Sequence, residues 1–110
     1  MTLYADSQLT ISSGGPACFT LSGEVDAWNV AAVTETLARH LPPGDVSLDL
    51  SDLSFADVET IRALVSLADG MGEGRRIVIR GLPSRLRRVL ELVGWSNLPR
   101  FVYESGEPAA

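Results

Sequence analysis

Apolar and polar positions recur along this chain at two periods, and the switches between them mark its elements. Residues 8–13 and 17–22 read as two β-prone runs, and Gly14-Gly15-Pro16 between them supplies a turn, so a hairpin is predicted. Ser22-Gly23 ends the second run, and Asp26 stands where it can cap a helix. Val30, Val33, Leu37 and Leu41 then recur at helical spacing until Pro42-Pro43-Gly44 stops them. Val46-Ser47-Leu48-Asp49-Leu50 returns to period two as a strand, continuing through a short loop to about Phe55. Asp57 is placed to cap a second helix, with Ile61, Leu64, Val65, Ala68 and Met71 on one face and Gly70, Gly72 and Gly74 ending it. Arg76-Ile77-Val78-Ile79-Arg80 is a short strand of buried type. Pro83 opens a third helix, with Leu86, Val89, Leu90 and Val93 inward, Arg85, Arg87 and Arg88 outward, and Gly94 at its end. Phe101-Val102-Tyr103 adds a last short strand, and residues 104–110 read as a flexible tail.

The order is β-β-α-β-α-β-α-β. Strands alternating with helices predict an α/β fold, with a mixed, mostly parallel central sheet of about four to five strands, helices packed against it and right-handed crossovers. The 110 residues suit one domain over 1–110, with its core over about 8–103. No repeat, linker or low-complexity tract interrupts it.

Charge narrows the function. The net charge is −5 and the pI about 4.7, so no basic field is available for nucleic acid or an anionic membrane. The basic residues sit mostly late, at Arg75, Arg76, Arg80, Arg85, Arg87, Arg88 and Arg100, which leaves the first half acidic. Cys18 is the only cysteine; no internal disulfide is possible, a cytoplasmic address is favoured, and its apolar neighbours predict a buried, inert thiol. The opening MTLYADSQLT lacks the charged and apolar regions of a signal peptide, and no apolar stretch is long enough to span a bilayer.

Catalytic parts are missing from the pattern. His40 is the sole histidine and sits at a helix end, where a donor suits the dipole. No nucleophile elbow, phosphate-cradling loop or dinucleotide fingerprint occurs, and Gly70-Met71-Gly72-Glu73-Gly74 follows a helix rather than a strand. Asp49, Asp52, Asp57 and Glu59 would suit a hard cation. As a strand residue, a turn former, a cap and a first-turn acid they are better explained structurally. The reading is of a non-enzyme without metal or cofactor.

Three stretches then carry a resemblance: Leu21-Ser22-Gly23-Glu24-Val25-Asp26, the run from Leu48 to Phe55, and Asp57 leading into Ile61-Arg62-Ala63-Leu64. Together and in this order they resemble the STAS domain of anti-sigma factor antagonists, whose pattern reads approximately LSGELD and then LDLSGVTFIDSSGLRAL. The resemblance covers nearly the whole chain. It implies bacterial transcription regulation by partner switching, in which the domain binds an anti-sigma factor. That factor is usually a serine kinase with an ATP-binding fold, so the nucleotide belongs to the partner. The kinase inactivates the antagonist by phosphorylating the second serine of the DSSG stretch.

Here this chain departs from the family. Asp57 matches the aspartate, but Val58 replaces the first serine, Glu59 stands at the phosphoacceptor position and Thr60 replaces the glycine. A helix N-terminus is hospitable to an anion, and a phosphate brings roughly −1.5 to −2 charges. Glu59 supplies one permanent charge, or simply stabilises the first turn by about 0.3–1 kcal/mol. Three mechanisms follow: a non-phosphorylatable antagonist or scaffold, modification moved to Thr60, or a domain locked by Glu59 in a phosphorylated-like state. Val58, Glu59 and Thr60 are expected on the exposed first turn. If the family geometry holds, Glu24, Asp26, Ser51, Asp52, Asp57, Val58, Glu59, Thr60 and Arg62 form the partner-binding edge. Trp28 is a further anchor candidate, weighed slightly towards packing. A second functional class keeps the fold and makes the chain an accessory subunit of a lipid-transport ATPase complex.

Overall fold

Leu9 and Ile11 are buried while Thr10 and Ser12 are half-exposed, and the same alternation runs through Phe19 and Leu21, then Val46, Leu48 and Leu50, then Ile77 and Ile79. Such a pattern needs a sheet with one covered face. The computed structural model, which describes residues 1–15, 17–72, 74–92, 94 and 101–104 (of Tyr103 and Glu104 the backbone only), has one. Its strands are β1 (Thr2–Ala5), β2 (Leu9–Gly15), β3 (Cys18–Val25), β4 (Val46–Ala56), β5 (Ile77–Arg80) and β6 (Phe101–Glu104). Its helices are α1 (Val30–His40), α2 (Val58–Asp69) and α3 (Ser84–Leu92).

The six strands lie in sequence order, β1-β2-β3-β4-β5-β6. The β1–β2 and β2–β3 pairs are antiparallel, and β3–β4, β4–β5 and β5–β6 are parallel. The expected mixed, mostly parallel sheet is therefore present with one strand more than the pattern gave. Each parallel crossover steps one strand in the same direction, so right-handed connections put all three helices on one face. Leu37, Ile61, Leu64, Leu86 and Leu90 seal that face from the helix side.

Several local expectations change. β4 is continuous through Ala56, without the loop predicted inside it. Cys18 is exposed rather than buried, because alternation fixed by inward Phe19 and Leu21 turns it outward. Val89 lies partly exposed, since Leu86 and Leu90 already take the inward stripe of α3; Val93 is outside the described residues. Glu104 belongs to β6 and pairs with Arg80 of β5, and residues 105–110 lie outside the described residues.

Gly23 shows how tightly the sheet is drawn at one point. Its φ is +113°, and a Cβ there would lie 2.0 Å from the Gln8 carbonyl oxygen. Only glycine lets β3 pass this close to the start of β2.

Candidate functional site

The carboxyl ends of β3 and β4 meet the start of α2, and that junction holds most of the residues singled out by sequence. Asp57 is extended, at φ −100° and ψ −179°, so its side chain can fold over the first helical turn. Its Oδ1 accepts the Glu59 amide at 3.1 Å, and its carbonyl accepts the Thr60 amide at 3.0 Å. The predicted cap is real.

Glu59 projects outward, its side chain 51% exposed, and its Oε1 lies 3.3 Å from Nε of Arg62 one turn on. Both groups are well solvated, so the pair holds the carboxylate loosely. Thr60 is different. It is fully buried, and its Oγ1 has no hydrogen-bond partner among the described residues. The expectation of an exposed Val58-Glu59-Thr60 triplet is thus corrected: Glu59 is exposed, Val58 half-buried and Thr60 inside. Residue 60 precedes Ile61 and sits four before Leu64, both core residues, so it belongs to the inward arc of α2. A kinase would have no access to a hydroxyl so placed.

The neighbouring loop is brought in by register. Glu24 pairs with Phe55 and Val25 with Ala56, which sets the β3–α1 connection beside the α2 tip. Asn29 organises that connection, donating from Nδ2 to the Glu24 carbonyl at 3.0 Å and accepting the Asp26 amide on Oδ1 at 3.0 Å. Asp26 was expected to cap α1; instead its Oδ1 accepts the Trp28 amide at 2.9 Å in a turn, and α1 starts after Asn29 with no side-chain cap. Asn29 is 3% exposed and carries no sequence signal beyond its type. Trp28, weighed towards packing, is 91% exposed. With Asn29 tying the loop down from within, nothing draws the indole onto the sheet.

Ser51 and Asp52 stand apart from this tip. Asp52 pairs with Ser22, and the five extended residue steps from it to Asp57 span roughly 16 Å. Ser51 donates its amide at 2.9 Å and its hydroxyl at 2.6 Å to Asp49 Oδ1, where the β3–β4 register slips within β4. Among the described residues no three of His, Cys, Asp and Glu converge as a cation would require.

A groove of about 810 Å³ runs beside the tip, between the Leu53–Val58 segment and the first turns of α3. Phe55, Val58 and Val89 give it an apolar lining, and Arg85 stands on its α3 wall. Sequence reading missed it, because its two walls are about thirty positions apart and are brought together only by the β4–α2–β5–α3 winding.

Comparison with known proteins agrees with this fold. The family model described as "Mlab, STAS domain" matches residues 11–102. The unphosphorylated anti-sigma factor antagonist SpoIIAA has a similar structure, at a TM-score of 0.65 and 13% identity over 88% of each chain. An anti-sigma factor antagonist from Mycobacterium paratuberculosis superposes at a TM-score of 0.62 with 21% identity, over 86% of this chain and 83% of that one. At these identities the likeness is one of fold. No curated protein matches the chain.

Proposed function

The chain belongs to the STAS domain family, and we propose that it acts as an anti-sigma factor antagonist-like regulator. It works by binding rather than catalysis, and its partner is an anti-sigma factor of the serine-kinase type in the bacterial cytoplasm. The docking edge is the α2 tip with the β3–α1 loop: Glu24, Asp26, Asp57, Val58, Glu59 and Arg62, with Trp28 as an exposed anchor. Glu59 occupies the position of the usual phosphoserine.

The observation that carries this reading is the exposed Glu59 carboxylate on a capped helix start. The helix N-terminus favours negative charge, and here one charge is permanent. Arg62 offsets part of it, so the local field is weaker than a phosphoserine would give. Partner affinity is therefore set by abundance or by another input, not by phosphorylation at this position. No helix among the described residues is long and apolar enough to cross a membrane.

The test is a binding assay between the anti-sigma kinase and wild type, Glu59→Ser and Glu59→Ala, with and without ATP, followed by intact-mass measurement. Release of Glu59→Ser alone upon phosphorylation supports the proposal. A phosphate appearing on wild type overturns it, as does a pull-down from native cytosol in which all three proteins bring down one transporter complex, which would support the accessory-subunit role.

A further inference from the structure

The docking edge proposed above has a charged rim and almost no centre. Of its seven residues, Glu24, Asp26, Asp57, Glu59 and Arg62 are charged, and only Val58 and Trp28 are apolar. Exposed charges steer an encounter but contribute little once the complex has formed. The centres of stable interfaces are instead apolar and depleted of charge, and a few buried anchors there carry most of the energy. A partner held at this edge needs such a centre beside it.

The groove next to the tip has that character. Phe55 is 46% exposed and Val89 36%, and both line it together with half-buried Val58. Leu53 and Leu86, both buried, join the lining behind them. Its charged lining is one residue of each sign, Asp57 and Arg85. Charge therefore selects neither an acidic nor a basic occupant, and the apolar lining decides what fits: aliphatic or aromatic side chains. Nor is the groove a separate surface. Asp57 and Val58 belong both to the α2 tip and to the groove wall, and the Glu24–Phe55 rung joins Phe55 to the loop that carries Trp28. A protein seated on the tip therefore also reaches the groove.

We infer that this groove is the apolar centre of the docking edge. The proposed anti-sigma factor inserts aliphatic or aromatic side chains between Phe55 and Val58 on one wall and Val89 on the other. The inference rests on the docking role proposed above and extends it to α3, none of whose residues belong to that edge. At about 810 Å³ the groove falls within the roughly 300–1,000 Å³ of sites that take a small-molecule-sized group, so more than one side chain has room.

Calorimetric titration of the full chain with the anti-sigma kinase tests it, with amide chemical shifts recorded on the complex. The binding enthalpy of wild type should become more negative as temperature rises, as burial of apolar surface requires. Amides of residues 84–89 should shift together with those of 57–62. Val89→Asp and Phe55→Ala should each weaken binding about tenfold or more. Leu92→Asp adds the same charge to α3 at an 81% exposed position outside the groove lining, and should change affinity less than about twofold. The amide spectrum of each variant reports its folding, and the wild-type shifts decide the matter even where a variant misfolds. Unchanged affinity of folded Val89→Asp and Phe55→Ala, an equal loss with Leu92→Asp, or shifts confined to the tip would each overturn the inference and leave the docking role in place. Absence of any wild-type binding removes the docking role itself, and the inference with it.

Discussion

Asp57 holds the amide of Glu59 on its side chain at 3.1 Å, so the residue that starts α2 also fixes the one that carries its charge. Replacing Asp57 with Ala should cost about 1 kcal/mol, within a range of about 0.5–2. Urea denaturation measures it. Affinity for the proposed anti-sigma factor partner should fall further than stability alone explains, because a frayed first turn no longer presents Glu59. Equal binding by folded Asp57→Ala would remove the α2 tip from the docking edge.

The Glu59–Arg62 pair should contribute little by itself. A double-mutant cycle between Glu59→Gln and Arg62→Gln should give a coupling of about 0.3–0.5 kcal/mol at most, shrinking as salt is added. A coupling several times larger would mean that the carboxylate is committed to the helix rather than available to a partner.

Thr60→Val removes a buried hydroxyl that has no partner among the described residues. The exchange should leave stability unchanged or raise it by about 1 kcal/mol, in contrast to the loss usual for a bonded hydroxyl. Thermal denaturation decides it. A loss above about 1 kcal/mol would show that a water or another group satisfies Oγ1 in solution.

Gly23→Ala meets both a left-handed backbone and the Gln8 carbonyl. Each effect costs about 1–3 kcal/mol, so the variant should lose about 3 kcal/mol or more. The damage should reach the site, since Gly23 immediately precedes the Glu24–Phe55 rung. A well-folded Gly23→Ala variant with unchanged amide shifts at residues 24–29 would contradict this.

Asp6 makes the β1–β2 turn sensitive to acid. Its carboxylate accepts the Tyr4 hydroxyl at 2.7 Å and the amides of Gln8 and Leu9 at 2.6 and 2.7 Å. The tyrosine hydrogen bond first, and then the Gln8 amide, hold its pKa below the ordinary aspartate value. A depressed carboxylate stabilises the fold above its unfolded pKa and loses that contribution as pH falls through the lower, folded one. Tyr4 is shifted the opposite way, upward, chiefly by the same bond, so its contribution fades only under strongly alkaline conditions. Thermal unfolding from about pH 7 down to pH 2 should show a steeper acid decline in wild type than in Asp6→Asn. Parallel curves would mean that the turn does not report on this carboxylate.

The two periods of the pattern determined a good deal without any coordinates. Val46-Ser47-Leu48-Asp49-Leu50 had to be a strand with one buried face, and Ile61, Leu64, Ala68 and Met71 had to be the buried stripe of a helix, because each depends on neighbours a few residues away. The cap at Asp57 was legible for the same reason: its acceptor reaches an amide two positions on. Thr2–Ala5 was not legible. Its alternation is weak, and it becomes a strand because β2 offers it a free edge. The exposure of Trp28 and Cys18, the burial of Thr60, the grip of Asn29 on Glu24 and the groove facing α3 were likewise decided only by tertiary structure. Each depends on what the winding of the sheet brings opposite a residue, and a one-dimensional pattern holds no record of the opposite side.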